Sequence, residues 1–177
     1  MKRLFMSMLL ILAGIISVEA QNIVEKGETL ATMNDVVKEF PTAKSVSKIS
    51  GGVYDVLGSE SESVGKLVLS SFYSSGITGF AGSTPLLIAV NNDGIIKNVT
   101  LLANQETPNF VAKVRNAGLF AVWNGMKFKE AANKEVDAVT GATYTSTAVI
   151  RSMKAAAANA LIPTSKTSSK SASVKKK

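Results

Sequence analysis

Asp137-Ala138-Val139-Thr140-Gly141-Ala142-Thr143-Tyr144-Thr145-Ser146 is the stretch on which the reading of this chain turns. It places Thr140, Thr143, Thr145 and Ser146 around one glycine, and Val149, Met153, Ala156 and Ala160 then recur at helical spacing. The periodicity predicts a helix that begins near Ser146 or Thr147 and ends before Pro163. A hydroxyl-rich loop that feeds a helix start is an anion site in outline. The first amides of a helix lack internal partners and that end carries about half a positive charge. Gly141 lets backbone approach closely, and the hydroxyls add donors. The plain alternative is that Thr145, Ser146 or Thr147 is an ordinary N-cap and the rest a polar loop. Physics alone favours the plain alternative.

Working outward, Thr107-Pro108 has the form of an N-cap followed by proline at the first helical position. Phe110, Val111, Val114 and Ala117 then share a face until Gly118, which predicts a helix. Leu30, Met33, Val36, Val37 and Phe40 mark an amphipathic helix over 30 to 40, stopped by Pro41. Between these lie runs rich in β-branched and aliphatic residues: Val53 to Leu57, Lys66 to Phe72, Pro85 to Val90 and Ile95 to Leu102. Asn92-Asp93-Gly94 makes the last two a hairpin. The expected fold class is α+β, a mixed or antiparallel sheet with a central hairpin, packed by about three helices.

The 177 residues allow one domain with tails. Hydrophobic residues make up 46% and charged residues 19%, a globular balance. The chain has no Cys and no His, which excludes thiolate zinc sites, iron–sulfur clusters, His-ligated haem, Cys nucleophiles and Ser-His-Asp triads. Met1-Lys2-Arg3, the apolar run Leu4 to Val18 and Val18-Glu19-Ala20 read as a secretory signal peptide over 1–20. The alternative is a retained anchor, and either way the rest faces the outside of the cytoplasmic membrane. The net charge of +7 sits largely in residues 164–177, which hold five Lys and no acid. Residues 21–163 keep 13 basic against 12 acidic residues, so the body carries no signal for nucleic acid. The Lys/Ser-rich tail is expected to be disordered. Its expected role is solubility, or a weak attraction to anionic headgroups or an acidic partner.

The decapeptide resembles the flavinylation motif of the FMN-binding domain family: Asp, two residues, Ser or Thr, Gly, Ala, Ser or Thr, any residue, Thr. Gly76-Ile77-Thr78-Gly79-Phe80-Ala81-Gly82, the strand to Val90, Asn92-Asp93-Gly94-Ile95-Ile96 and Glu106-Thr107-Pro108 also follow the family's order. The resemblance spans roughly residues 64–160 and implies a single FMN-binding domain over 21–163. That family includes covalently flavinylated subunits of the sodium-translocating NADH:quinone oxidoreductase and Rnf complexes. The resemblance implies that Thr145 bears FMN through a phosphoester, attached by a magnesium-dependent flavin transferase that uses FAD as donor. Asp137, Thr140, Gly141, Ala142 and Thr143 match its recognition positions. Asn109 stands where the family commonly has glycine, and Thr140 keeps the hydroxyl of a frequent Ser.

A flavin carries its redox chemistry in its own ring, so the missing His and Cys agree with this implication. The ring wants apolar or aromatic neighbours, and Phe80, Tyr144 and Trp123 are candidates. Glu106 and Thr107 lie in a loop that the resemblance implies is beside the flavin, and Ser146 adjoins the attachment residue. The expected function is an exported, periplasmic or membrane-associated electron carrier within an extracytoplasmic redox chain, with unknown donor and acceptor. The alternatives are a non-redox or non-covalent FMN-binding module, and a secreted structural or interaction domain whose loop is only a cap.

Overall fold

A computed structural model describes residues 22–25 and 28–163; the expected leader and basic tail lie outside the described residues. The described residues begin with two short paired strands, β1 (Ile23–Glu25) and β2 (Glu28–Ala31), then helix α1 (Met33–Glu39). Five strands follow: β3 (Ser45–Ser50), β4 (Val53–Leu57), β5 (Ser63–Leu69), β6 (Leu86–Val90) and β7 (Ile96–Leu101). They form one antiparallel meander in the order β3-β4-β5-β6-β7. Helices α2 (Pro108–Asn116) and α3 (Thr143–Asn159) come last. The fold is α+β, with a purely antiparallel sheet among the described residues.

The sheet lies between two apolar layers because its inner strands alternate between them. From β6, Leu86, Ile88 and Val90 face the layer built on α2, α3, Trp123 and Phe128. Leu87 and Ala89 face the other layer, with Met33, Val36 and Phe40 of the α1 region and with Ile23 and Ala31. All five residues of β6 are buried, as a strand covered on both sides requires. Asn91 closes the β6–β7 hairpin: its carbonyl accepts from the Gly94 amide at 3.0 Å and its side chain accepts from the Ile95 amide at 2.9 Å.

Several boundaries differ from the periodic reading. Leu30 belongs to β2, and α1 starts only after Thr32, where a capping box with Asp35 satisfies amides that an apolar stripe cannot. Strand β5 begins at Ser63, and Ser70–Phe72 leaves the sheet as a 3₁₀ turn. The Ser70 hydroxyl there accepts the Leu86 amide at 2.8 Å. Strand β3 had no sequence expectation because it is an edge strand with little buried surface and no alternating pattern. Helix α3 starts at Thr143, about one turn earlier than expected, so Thr145 lies in its first turn rather than ahead of it. Among the described residues, no helix is long and apolar enough to cross a membrane.

Candidate functional site

Three connections meet at the N-terminal end of α3: the loop after β5, the loop after β7, and the motif loop. The motif loop turns at Val139–Ala142, where the Ala142 amide donates to the Val139 carbonyl at 3.0 Å. Gly141 sits third in that turn with φ +75°, as a type II turn demands. Ser146 closes the turn onto the helix: its hydroxyl accepts from the Val139 amide and donates to the Ala142 carbonyl, both at 2.9 Å. The cap residue Ala142 has no side-chain acceptor, and the first intrahelical bond runs from the Ser146 amide to the Ala142 carbonyl at 2.9 Å. The amides of Thr143, Tyr144 and Thr145 precede that bond, at the electropositive end of a 17-residue helix.

A groove of about 270 Å³ opens over this helix start, lined by Phe80, Phe110, Gly141, Ala142, Thr143, Tyr144 and Thr145. Phe80 and Phe110 meet edge to face, with ring centroids 5.0 Å apart and planes at 84°. Phe80 and Tyr144 are large side chains left mainly in solvent, 61% and 72% exposed. Lys113, one turn along α2 from Phe110, donates to the Gly141 carbonyl at 3.3 Å and brings a cation to the rim.

Beneath the rim, Thr145 is 1% exposed and Glu106 5%. The Thr145 hydroxyl donates to Glu106 Oε2 in a short hydrogen bond. The same carboxylate accepts three successive amides: Phe80 at 3.2 Å, Ala81 at 2.8 Å and Gly82 at 2.9 Å. These form a nest around it. Burial pushes the Glu106 carboxyl up, but the hydrogen bonds from Thr145 and from the Ala81, Gly82 and Phe80 amides together hold it below its ordinary value. Gly79 makes the approach possible, since a Cβ there would lie 2.6 Å from Glu106 Oε1.

Gly141, Ala142, Thr143, Tyr144, Thr145 and Phe80 thus come together on the groove, with Glu106 behind Thr145. Other candidates lie elsewhere. Trp123 is fully buried among the core residues and is not a groove residue. Thr107 occupies the N-cap position of α2, but its hydroxyl makes no capping bond. Ser146 is buried under the motif turn rather than exposed on the groove. Asp137 and Thr140 are placed in the loop outside the groove. Phe110 and Lys113 were not singled out for the site from sequence, because only the packing of α2 beside α3 brings them there. Among the described residues, no group of three or more acidic, His or Cys side chains is placed to hold a metal.

The model of the FMN-binding domain family matches residues 79–158, a span that holds Gly79, Glu106 and the whole motif loop. One component of the Na(+)-translocating ferredoxin:NAD(+) oxidoreductase complex of Acetobacterium woodii is 33% identical over 41% of this chain and 39% of its own length. The chain therefore spans about two fifths of that relative. The crystal structure of Shewanella oneidensis NqrC aligns with 66% of this chain and 66% of its own, at 22% identity and a TM-score of 0.38.

Proposed function

We propose that this chain, whose residues 79–158 match the FMN-binding domain family, carries FMN as a phosphoester on Thr145 and works as an exported electron carrier. The observation that carries the reading is the position of Thr145: a residue in the first turn of α3 that lines a groove, its hydroxyl donating to the Glu106 carboxylate. First-turn amides and Lys113 favour an anion at that place. The edge-to-face Phe80 and Phe110 rings with Tyr144 supply the apolar wall that a flat ring system needs.

When bound, the flavin supplies one- and two-electron chemistry from its own ring. The chain's residues then have only to bind, orient and tune, which suits a protein without His or Cys. An exported protein would lose a diffusible cofactor by dilution, and a bond to Thr145 removes that loss.

In this reading a single domain over 21–163 follows a leader over 1–20, and the chain acts outside the cytoplasmic membrane. A magnesium-dependent flavin transferase with FAD as donor recognises Asp137, Thr140, Gly141, Ala142 and Thr143. The likeness to a component of a sodium-translocating redox complex supports membrane-bound electron partners. The test is co-expression with a flavin transferase in an export-competent host. The denatured wild-type chain is expected to keep flavin absorbance and Thr145→Ala to lack it. A flavin-free denatured wild-type chain contradicts the reading.

A further inference from the structure

We propose that Glu106 takes the proton from Thr145 when that oxygen is esterified, so that the acceptor domain supplies the base for its own modification. The inference rests on the reading of Thr145 as the attachment residue. Its ground is geometric. An oxygen that becomes an ester must lose its proton, and the Thr145 proton already points at Glu106 Oε2. The donor and acceptor are both buried, while Thr145 still lines the groove through which a phosphorus would arrive.

The carboxylate is built into place. Three amides of the loop after β5 grip it, two on Oε1 and one on Oε2, and Gly79 leaves the room it needs. The carboxylate's two oxygens accept all four bonds, more than the single oxygen of an uncharged amide side chain could take. Here the residue is a carboxylate whose remaining hydrogen bond is to the reacting atom. The hydrogen bonds that surround it keep it ionised at neutral pH despite burial. That makes it a weak base. The phosphorus already carries the flavin's ribityl ester, so the attacking oxygen must be held in line and relieved of its proton, and a carboxylate fixed against that hydroxyl does both.

The step balances. Thr145 Oγ1 forms a bond to the phosphorus on the FMN side of FAD. The bond from that phosphorus to the bridging pyrophosphate oxygen breaks, and AMP leaves with its electron pair. The proton passes from Oγ1 to Glu106 Oε2 and on to solvent. Nothing is oxidised or reduced.

The experiment uses flavin-free full-length chain, purified flavin transferase, Mg²⁺ and FAD, with attachment followed by mass of the denatured protein. Glu106→Gln is expected to slow attachment by about 10²-fold or more, the usual range for loss of a general base, with the fold retained by circular dichroism. Attachment within about threefold of wild type, on the same scale, overturns the proposal and leaves Thr145 as the attachment residue. If Glu106→Gln does not fold, the pH–rate profiles of wild type and Glu106→Asp decide. Lys113 at the groove rim is unchanged in both and the transferase is the same, so any displacement of the acid limb belongs to position 106. A displaced limb is expected, and coincident limbs overturn the proposal. A wild-type chain that takes up no flavin overturns the attachment reading and this proposal with it.

Discussion

The Thr145 hydroxyl donates to the Glu106 carboxylate across 39 residues of chain, and both groups are buried. That bond joins three segments that are distant in sequence. The motif loop brings Thr145 on α3, the loop after β7 brings Glu106, and the loop after β5 wraps its amides around the carboxylate. The antiparallel meander makes the meeting possible. Strands β6 and β7 send the preceding and following loops to the same edge, and α3 packs on the sheet with its N-terminus at that edge.

Gly79 has a testable part in this junction. A Cβ at position 79 meets the Glu106 carboxylate at 2.6 to 3.0 Å, and the carboxylate is pinned by four hydrogen bonds. Gly79→Ala is expected to destabilise the chain by about 1–3 kcal/mol, the usual cost of overpacking, and to reduce flavin attachment. Urea unfolding and flavin stoichiometry check both. An unchanged midpoint contradicts the account of the nest.

Acid stability follows from Glu106. Burial raises its pKa, but its four hydrogen bonds lower it more, so the folded value lies below the ordinary 4.5. A carboxyl with a depressed folded value contributes stability above its unfolded value and loses it as pH falls through the folded one. The flavin-free chain is therefore expected to lose melting temperature on acidification below about pH 4.5. Glu106→Gln should flatten that part of the profile. Asp35 is also held below its ordinary 3.8 and acts in both proteins, so the difference between the profiles isolates Glu106. Parallel profiles contradict the assignment.

Trp123 separates core from site. It is fully buried in the core cluster that also holds Val99, Val114, Leu119 and Phe128. Trp123→Ala is expected to cost about 3–5 kcal/mol while the folded fraction still takes up flavin in full. Denaturant unfolding and flavin content of the soluble protein measure the two separately.

Asp137 is exposed in the motif loop. Its removal is expected to change stability by less than about 0.5 kcal/mol and to leave little flavin attached, as a residue read by the transferase would. Lower stability with full occupancy in whatever folds would make it a local turn residue instead.

What could be read in the chain before its structure was what depends on neighbours in sequence. The β6–β7 hairpin was legible because two apolar runs flank Asn92-Asp93-Gly94. Helix α2 was legible from Thr107-Pro108 and its apolar face. The start of α3 was placed late because Thr143, Tyr144, Thr145 and Ser146 are weak helix formers. Tertiary packing decides the matter there: Ala142 is buried, and the Ser146 hydroxyl ties the preceding turn to the helix. Strand β3 escaped notice because Ser45-Val46-Ser47-Lys48-Ile49-Ser50 buries little and pairs with one neighbour. The site residues came mainly from the resemblance of their motifs. Their mutual arrangement did not, since no spacing rule links Glu106 to Thr145 or Lys113 to Gly141.

The central claim is that Thr145 is the bearer of the flavin. Peptide mass spectrometry on the denatured, protease-digested wild-type chain tests it most directly, after production with a flavin transferase in an export-competent host. The account predicts that the peptide containing Thr145 is heavier by one FMN less one water, with the added mass on the Thr145 side chain. An unmodified Thr145 peptide, or the same added mass on Thr140, Thr143 or Ser146, would contradict it.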